Sequence, residues 1–164
     1  MIVQAQTHPD LDAIRTLLRE YAAGLGPDLP YSLEPEMAAL PGRYAPPLGL
    51  LLLARGPDGA QGCIALRPLD LPGDTQGACE VKHLYVRATA RGTGTGRALL
   101  TAALAFATAA GHRRALLDTL PTMAAAQSLY RAHGFTPVPP YHDDDPTPGL
   151  VYLGRTLSPA TPGT

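Results

Sequence analysis

The 164-residue chain has no asparagine and no tryptophan, one lysine (Lys82), two cysteines and two phenylalanines. Each scarcity excludes something. Cys63 and Cys79 are too few for a disulfide framework or a metal cluster and match no zinc spacing, so both read as reduced, half-buried small hydrophobes. A formal net charge of −1 offers no excess of cations to neutralise phosphates, which argues against a nucleic-acid partner. No apolar run approaches the ~20 residues needed to span a bilayer. The longest is Leu48 to Ala54, and the opening MIVQAQTHPD lacks a basic n-region and an apolar h-region. A soluble, cytoplasmic protein with no membrane partner is expected.

What is abundant is proline and glycine, 18 and 17 residues, just short of the ~25–30% that marks low complexity. With 45% hydrophobic and 16% charged residues the composition is globular, and the length suits one domain. Thr7, Pro9 and Asp10 supply an N-cap hydroxyl, a first-turn proline and an acid three residues on. The helix they open carries Leu11, Ile14, Leu18, Tyr21 and Leu25 on one face and stops at Gly26-Pro27. Pro27 to Pro47 is broken by Pro and Gly, with one short helix from Glu34 to Ala39, and reads as a cover.

Met1 to Gln6, Leu48 to Ala54, Gly62 to Pro68, Cys79 to Val86, Arg114 to Asp118, Thr136 to Pro139 and Leu150 to Leu157 read as strands. Arg97 to Ala110 and Thr122 to His133 read as helices, the first apolar almost all round and therefore buried on a sheet or under other chain. The order predicts one α/β domain over residues 1–157, with a mixed central sheet of about six to seven strands flanked by helices. Residues 158–164 are expected to form a flexible tail. The apolar last strand is a candidate dimer edge, making a homodimer one expectation.

The segment from Val86 to Arg97, VRATARGTGTGR, joins a strand end to a helix start through three alternating glycines. Such a turn lets backbone N–H groups approach an anion, with the partial positive charge of the helix N-terminus behind them. A pyrophosphate is the natural guest, and Arg91 and Arg97 flank it. Gly96 is followed by Arg97-Ala98 instead of Lys-Ser/Thr, which excludes a P-loop. A dinucleotide fold competes, since Asp118 ends the next strand where a ribose-binding acid would stand. Yet the third glycine of that fingerprint is missing, and half the chain precedes the turn.

Arg91-Gly92-Thr93-Gly94-Thr95-Gly96, with Glu80 and Leu84-Tyr85-Val86 before it and Leu129-Tyr130-Arg131-Ala132-His133-Gly134-Phe135 after it, resembles the GCN5-related N-acetyltransferase family. The resemblance runs from about Cys79 to Phe135, and the element order agrees elsewhere. It implies transfer of an acetyl group from acetyl-CoA to a primary amine of a small molecule or peptide, by direct attack in a ternary complex. It implies that Leu84, Tyr85 and Val86 line the pantetheine and that Arg91, Gly92, Thr93, Gly94, Thr95, Gly96 and Arg97 hold the pyrophosphate.

An alkyl ammonium with a pKa near ~10.4 must lose its proton before it attacks. Glu80 is the candidate base, acting through water, or else an ordinary partner for Lys82. Tyr130 matches the family's acid for the leaving thiolate, and its plain alternative is a core phenol. Where the family often places an asparagine against pantetheine, the chain has Thr122-Met123-Ala124-Ala125-Ala126. Met123 fills that space without amide hydrogen bonds, leaving contact to the backbone, Thr122 or Gln127.

Strict alternation puts His83 and Tyr85 on the face opposite Glu80, Lys82 and Leu84. His83 reads as a hydrogen-bonded sheet histidine. Tyr31, Tyr44 and Tyr141 are candidate acceptor-site walls, and Asp143 to Asp145 a solvated loop or a lure for a cationic substrate. No metal is expected. A domain of the same fold that binds CoA without catalysis is the alternative function.

Overall fold

A computed structural model describes residues 1–26, 32–142 and 147–158. Tyr31 and Asp143 to Asp145 lie outside the described residues. Seven strands form one mixed sheet: β1 (Ile2–Gln4), β2 (Leu50–Gly56), β3 (Gly59–Leu69), β4 (Ala78–Val86), β5 (Arg114–Thr119), β6 (Thr136–Pro137) and β7 (Val151–Thr156), in the order β1-β2-β3-β4-β5-β7-β6. Among these described strands β4 and β5 run parallel and the other neighbours are antiparallel. Among the described residues there are four α-helices: α1 (His8–Leu25), α2 (Glu34–Ala38), α3 (Thr95–Ala109) and α4 (Ala124–Ala132).

The sheet is covered on both faces, which is why β2 reads as a continuous apolar run. Leu50, Leu52 and Ala54 pack with α3 and with Tyr130 and Phe135 at the end of α4. Leu51 and Leu53 pack on the opposite face with Leu11, Ile14, Leu17 and Leu18 of α1 and Met37 of α2. α3 buries Leu99, Leu100, Ala103, Leu104 and Ala107 against the sheet. Its solvent side is Thr101, Ala105 and Ala109, so its apolar surround is small side chains and needs no second cover.

α1 opens with the expected capping box, Thr7 Oγ1 accepting from Asp10 N–H and the Asp10 carboxylate accepting from Thr7 N–H. A box of this kind contributes about 1 kcal/mol. Two ion pairs fasten the helix to the sheet, Asp10–Arg55 at 2.5 Å at its start and Glu20–Arg87 at 2.6 Å near its end. Cys63 and Cys79 are free and buried, and burial pushes both thiols up to about 12.

The last strand is not an edge. β7 lies between β5 and β6, because the chain after Phe135 returns alongside it through Thr136↔Gly154 and Pro137↔Leu153. The expectation of a dimer through that strand therefore loses its basis.

Two irregularities of β4 break the regular sheet. Cys63 pairs with Tyr85 and Ala65 with Lys82, so two steps along β3 oppose three along β4. The extra residue is His83, at a left-handed φ of 59°. The bulge inverts the alternation beyond it: Leu84 and Val86 join Cys79 and Val81 on the α3 side, while Tyr85 turns to the α1 side with Cys63 and Ala65. Sequence alternation had Leu84 beside Glu80 and Lys82, and the bulge overturns that. The second irregularity is that β4 and β5 pair only from Ala78↔Arg114 to Glu80↔Leu116. Beyond these positions the strands part and leave a gap between them.

Candidate active site

The gap opens into a cleft of about 590 Å³ whose walls come from four parts of the chain. Leu84, Tyr85 and Val86 form the β4 wall. Arg91, Gly92, Gly94, Thr95, Gly96 and Arg97 form the mouth, Thr122 to Ala126 with Leu129 the α4 side, and Tyr21, Gly24 and Leu25 of α1 the far side. Every residue expected against the cofactor lines this cleft except Thr93. That side chain folds back on its own loop, donating to the Ala90 carbonyl at 2.5 Å and pairing with Thr95 Oγ1 at 2.9 Å.

The mouth is built from local backbone demands. Gly92 and Gly94 have φ values of 76° and 84°, a region that costs an L side chain roughly 1–2 kcal/mol. Gly94 is the N-cap of α3, and the first helical bond runs from Ala98 N–H to Gly94 C=O. Among the described residues, the N–H groups from Gly92 to Arg97 have no backbone acceptor. Arg91 Nε donates to the Val86 carbonyl at 3.0 Å, which ties the mouth to the strand. The Arg97 side chain is exposed, with no hydrogen bond among the described residues. Such a mouth suits a polyanion.

On the α4 side, Met123 is the N-cap and makes no side-chain cap bond. Its sulfur accepts from the Thr119 hydroxyl at 3.8 Å and the Tyr21 hydroxyl at 4.0 Å. Gln127 is spent on its own loop, Nε2 donating to Leu120 C=O at 3.0 Å. The missing asparagine is therefore not replaced by another side-chain amide. The first helical bond goes from Gln127 N–H to Met123 C=O, leaving the N–H groups of Ala124 to Ala126 beside the cleft.

A second, small cavity of about 60 Å³ adjoins the cleft and shares Tyr21, Leu84 and Met123 with it. Lys82, His83, Asp118, Thr119 and Tyr130 also line it. Tyr130 is buried against Phe135, ring centroids 5.8 Å apart. Burial, then the neighbouring Tyr21 and Asp118, push its phenol well above the ordinary value, so it stays protonated.

Glu80 sits behind this cavity and 1% of it is exposed. Arg67, its cross-strand neighbour, donates Nε at 3.0 Å and Nη2 at 2.7 Å to Oε1. Tyr141 donates its hydroxyl to Oε2 at 2.8 Å, and His142 Nε2 lies 2.7 Å from the same oxygen. Lys82 Nζ stands off at 4.0 Å. Burial opposes the charge, yet Lys82, Arg67 and the two hydrogen bonds outweigh it and lower the carboxyl below its usual range. Such a carboxylate keeps its charge.

His83 is more than a sheet histidine. From the bulge its Nε2 reaches Glu36 Oε1 of α2 at 3.0 Å and Tyr44 Oη at 3.3 Å, and the Tyr44 hydroxyl donates to the same Glu36 oxygen. Burial opposes the Glu36 charge, but His83, Tyr44 and Lys82 carry its carboxyl down to about 2. Tyr44 is thus interior instead of an acceptor-site wall, and Tyr141 braces Glu80. Among the described residues Glu80, Asp118 and His142 bring ligand-type atoms within 4.8 Å of one another. The Arg67 guanidinium bonded to Glu80, with the Lys82 ammonium beside it, opposes a divalent cation there.

Arg67, His142 and Tyr21 were not singled out from the sequence. Arg67 would have followed from the β3–β4 register and Tyr21 from its place on the α1 stripe; His142 carries no local signal.

The family model for the acetyltransferase (GNAT) domain matches residues 48–137. An uncharacterised N-acetyltransferase of Schizosaccharomyces pombe is 36% identical over 151 residues, covering 91% of this chain and 90% of that protein. An IAA acetyltransferase of Azospirillum brasilense is 34% identical over 153 residues, 93% of this chain and 96% of that one. A GNAT-family acetyltransferase structure from Staphylococcus aureus superposes with a TM-score of 0.79 at 16% identity, covering 96% of this chain and 99% of that one, a likeness of fold. With more than half of the chain inside the family model and near full-length relatives above 30% identity, the chain belongs to the GNAT acetyltransferase family.

Proposed function

We propose that the protein is an acetyl-CoA-dependent N-acetyltransferase acting on a primary amine. The observation that carries this reading is the cleft itself, with an apolar run between parted strands and a mouth of open N–H groups on left-handed glycines. Its volume is in the range of small-molecule and cofactor sites. When bound, acetyl-CoA supplies an acetyl group activated as a thioester.

The chain's residues then divide the work. The N–H groups from Gly92 to Arg97, with the Arg97 guanidinium, hold the pyrophosphate. The β4 edge at Leu84 to Val86, which lacks a β5 partner, holds the pantetheine as an added strand, and the open N–H groups of Ala124 to Ala126 face it where Met123 cannot. Thr93 keeps the mouth in shape. The amine attacks as the free base, its ammonium proton lost to water; as the N–C bond forms and the C–S bond breaks, Tyr130, held protonated beside the gap, gives its hydroxyl proton to the departing thiolate and takes back the proton that the amine sheds. Glu80 acts at one remove. It remains an anion and fixes Tyr141 and His142 beside the strand.

Calorimetric titration with CoA, NAD and ATP tests the reading. CoA is expected to bind in the micromolar range or tighter with NAD and ATP at least tenfold weaker, and Gly94→Val is expected to weaken CoA at least tenfold. Equal affinity for NAD, or an unaffected Gly94→Val, would sink it.

A further inference from the structure

The small cavity between β4 and β5 carries charges of both signs. Asp118, its side chain 21% exposed, comes from the β5 side, and Lys82, its side chain 17% exposed, from the β4 side just before the bulge. They differ in how they are engaged. Asp118 Oδ2 has His142 Nε2 at 3.8 Å. The Lys82 ammonium has three N–H donors and makes no hydrogen bond among the described residues; its nearest carboxylate oxygen is Glu80 Oε1 at 4.0 Å.

Two carboxylates that act on Lys82, Glu80 and Glu36, are committed elsewhere. Glu80 accepts from Arg67 and Tyr141 and meets His142, while Glu36 accepts from Tyr44 and meets His83. Lys82 is thus a largely buried cation whose donors are available to the cavity, and a cation so placed calls for an anionic acceptor of hydrogen bonds. At about 60 Å³ the cavity has room for the few heavy atoms of an amino carboxylate head and none for a ring. It adjoins the cleft at Leu84 and Met123, beside Tyr130.

The geometry points to an acceptor that carries both charges: a small amino carboxylate, its ammonium directed by Asp118 and its carboxylate held by Lys82. This rests on the reading of the adjoining cleft as the acetyl-CoA site. Asp118 places the amine and Lys82 sets specificity, so an amine without the carboxylate leaves a buried cation unmet and is rejected on that account. His83 joins the same wall, but its Nε2 is turned to Glu36, which leaves Lys82 as the cation that discriminates.

The test compares initial rates of thiol release, at saturating acetyl-CoA, for amino acids against their primary amides and against the amines left when the carboxylate is removed. The carboxylate-bearing member of each set is expected to have a kcat/KM at least about tenfold higher, chiefly through KM. That preference is expected to vanish in Lys82→Met and return in Lys82→Arg, and Asp118→Asn is expected to slow every acceptor. Equal rates for acids, amides and simple amines in the wild-type protein overturn the inference by themselves, without any variant. So does a preference that survives Lys82→Met in protein that still binds acetyl-CoA by calorimetry. Wild-type protein that does not bind acetyl-CoA overturns the cleft reading first, and this one with it.

Discussion

In the proposed reaction Glu80 works without touching substrate. Four donors converge on a carboxylate that solvent hardly reaches. Removing its charge strands Arg67 and loosens the Tyr141–His142 segment, and breaking a buried pair from one side costs about 3–5 kcal/mol. Glu80→Gln is therefore expected to lose about 3 kcal/mol in urea unfolding as well as turnover. Its combination with Arg67→Met is expected to cost less than the two single changes together, since the stranded cation is gone. A Glu80→Gln protein of unchanged stability with lost turnover would restore the simple base acting through water. The glycines were legible because a left-handed backbone leaves a local signature, and Gly92 and Gly94 fill such positions. Arg67 and His142 were not, because register and the return of a loop depend on partners 13 and 62 residues away from Glu80.

At the scale of elements, β4 does three jobs along nine residues. It pairs with β5 over its first three residues, turns its faces over at His83, and offers an edge without a β5 partner to the cleft over its last three. Nothing in Cys79-Glu80-Val81-Lys82-His83-Leu84-Tyr85-Val86 announces the bulge, because its left-handed residue is not glycine. What sustains it is tertiary: the bond from His83 to Glu36 on α2. His83→Asn, which tolerates that backbone, is expected to be milder than His83→Val, whose branched side chain adds roughly 1–2 kcal/mol of backbone cost to the lost bond. Thermal unfolding of the two variants checks this, and equal losses would mean that the left-handed conformation costs little. The strands and helices themselves were legible to within a few residues, because the apolar patterns and the Thr7 and Gly26 stops are local. The parting of β4 and β5 was not, since both sequences read as ordinary buried strands.

Over the whole molecule, charge ties the helices to the sheet and makes the fold sensitive to acid. Hydrogen bonding to Arg55 holds Asp10 at about 2 against an ordinary 3.8. Glu36 is held at about 2 against 4.5, its burial outweighed by His83, Tyr44 and Lys82. Both carboxyls titrate lower in the folded than in the unfolded chain, so the unfolded chain binds more protons between about pH 2 and 4.5. The stabilisation is complete above that window and is lost as the pH falls through it. Glu36 supplies roughly 2 kcal/mol of it, and Asp10 less, because solvent screens its pair with Arg55. Urea midpoints are expected to drop between about pH 5 and pH 3, and Glu36→Gln to flatten part of that drop. A midpoint independent of pH there would contradict the assignment of these pairs.

In this reading the cleft and the small cavity form one reaction chamber, with the CoA thiol at their junction beside Tyr130. Mass-resolved product analysis with acetyl-CoA and a panel of amino acids tests this most directly. One acetylated amine is expected for each CoA released, with Tyr130→Phe slowing transfer at least tenfold while CoA affinity is retained. Tight CoA binding with no acetylated amine from any acceptor would make the protein a CoA-binding domain without chemistry, and the chamber a cofactor site alone.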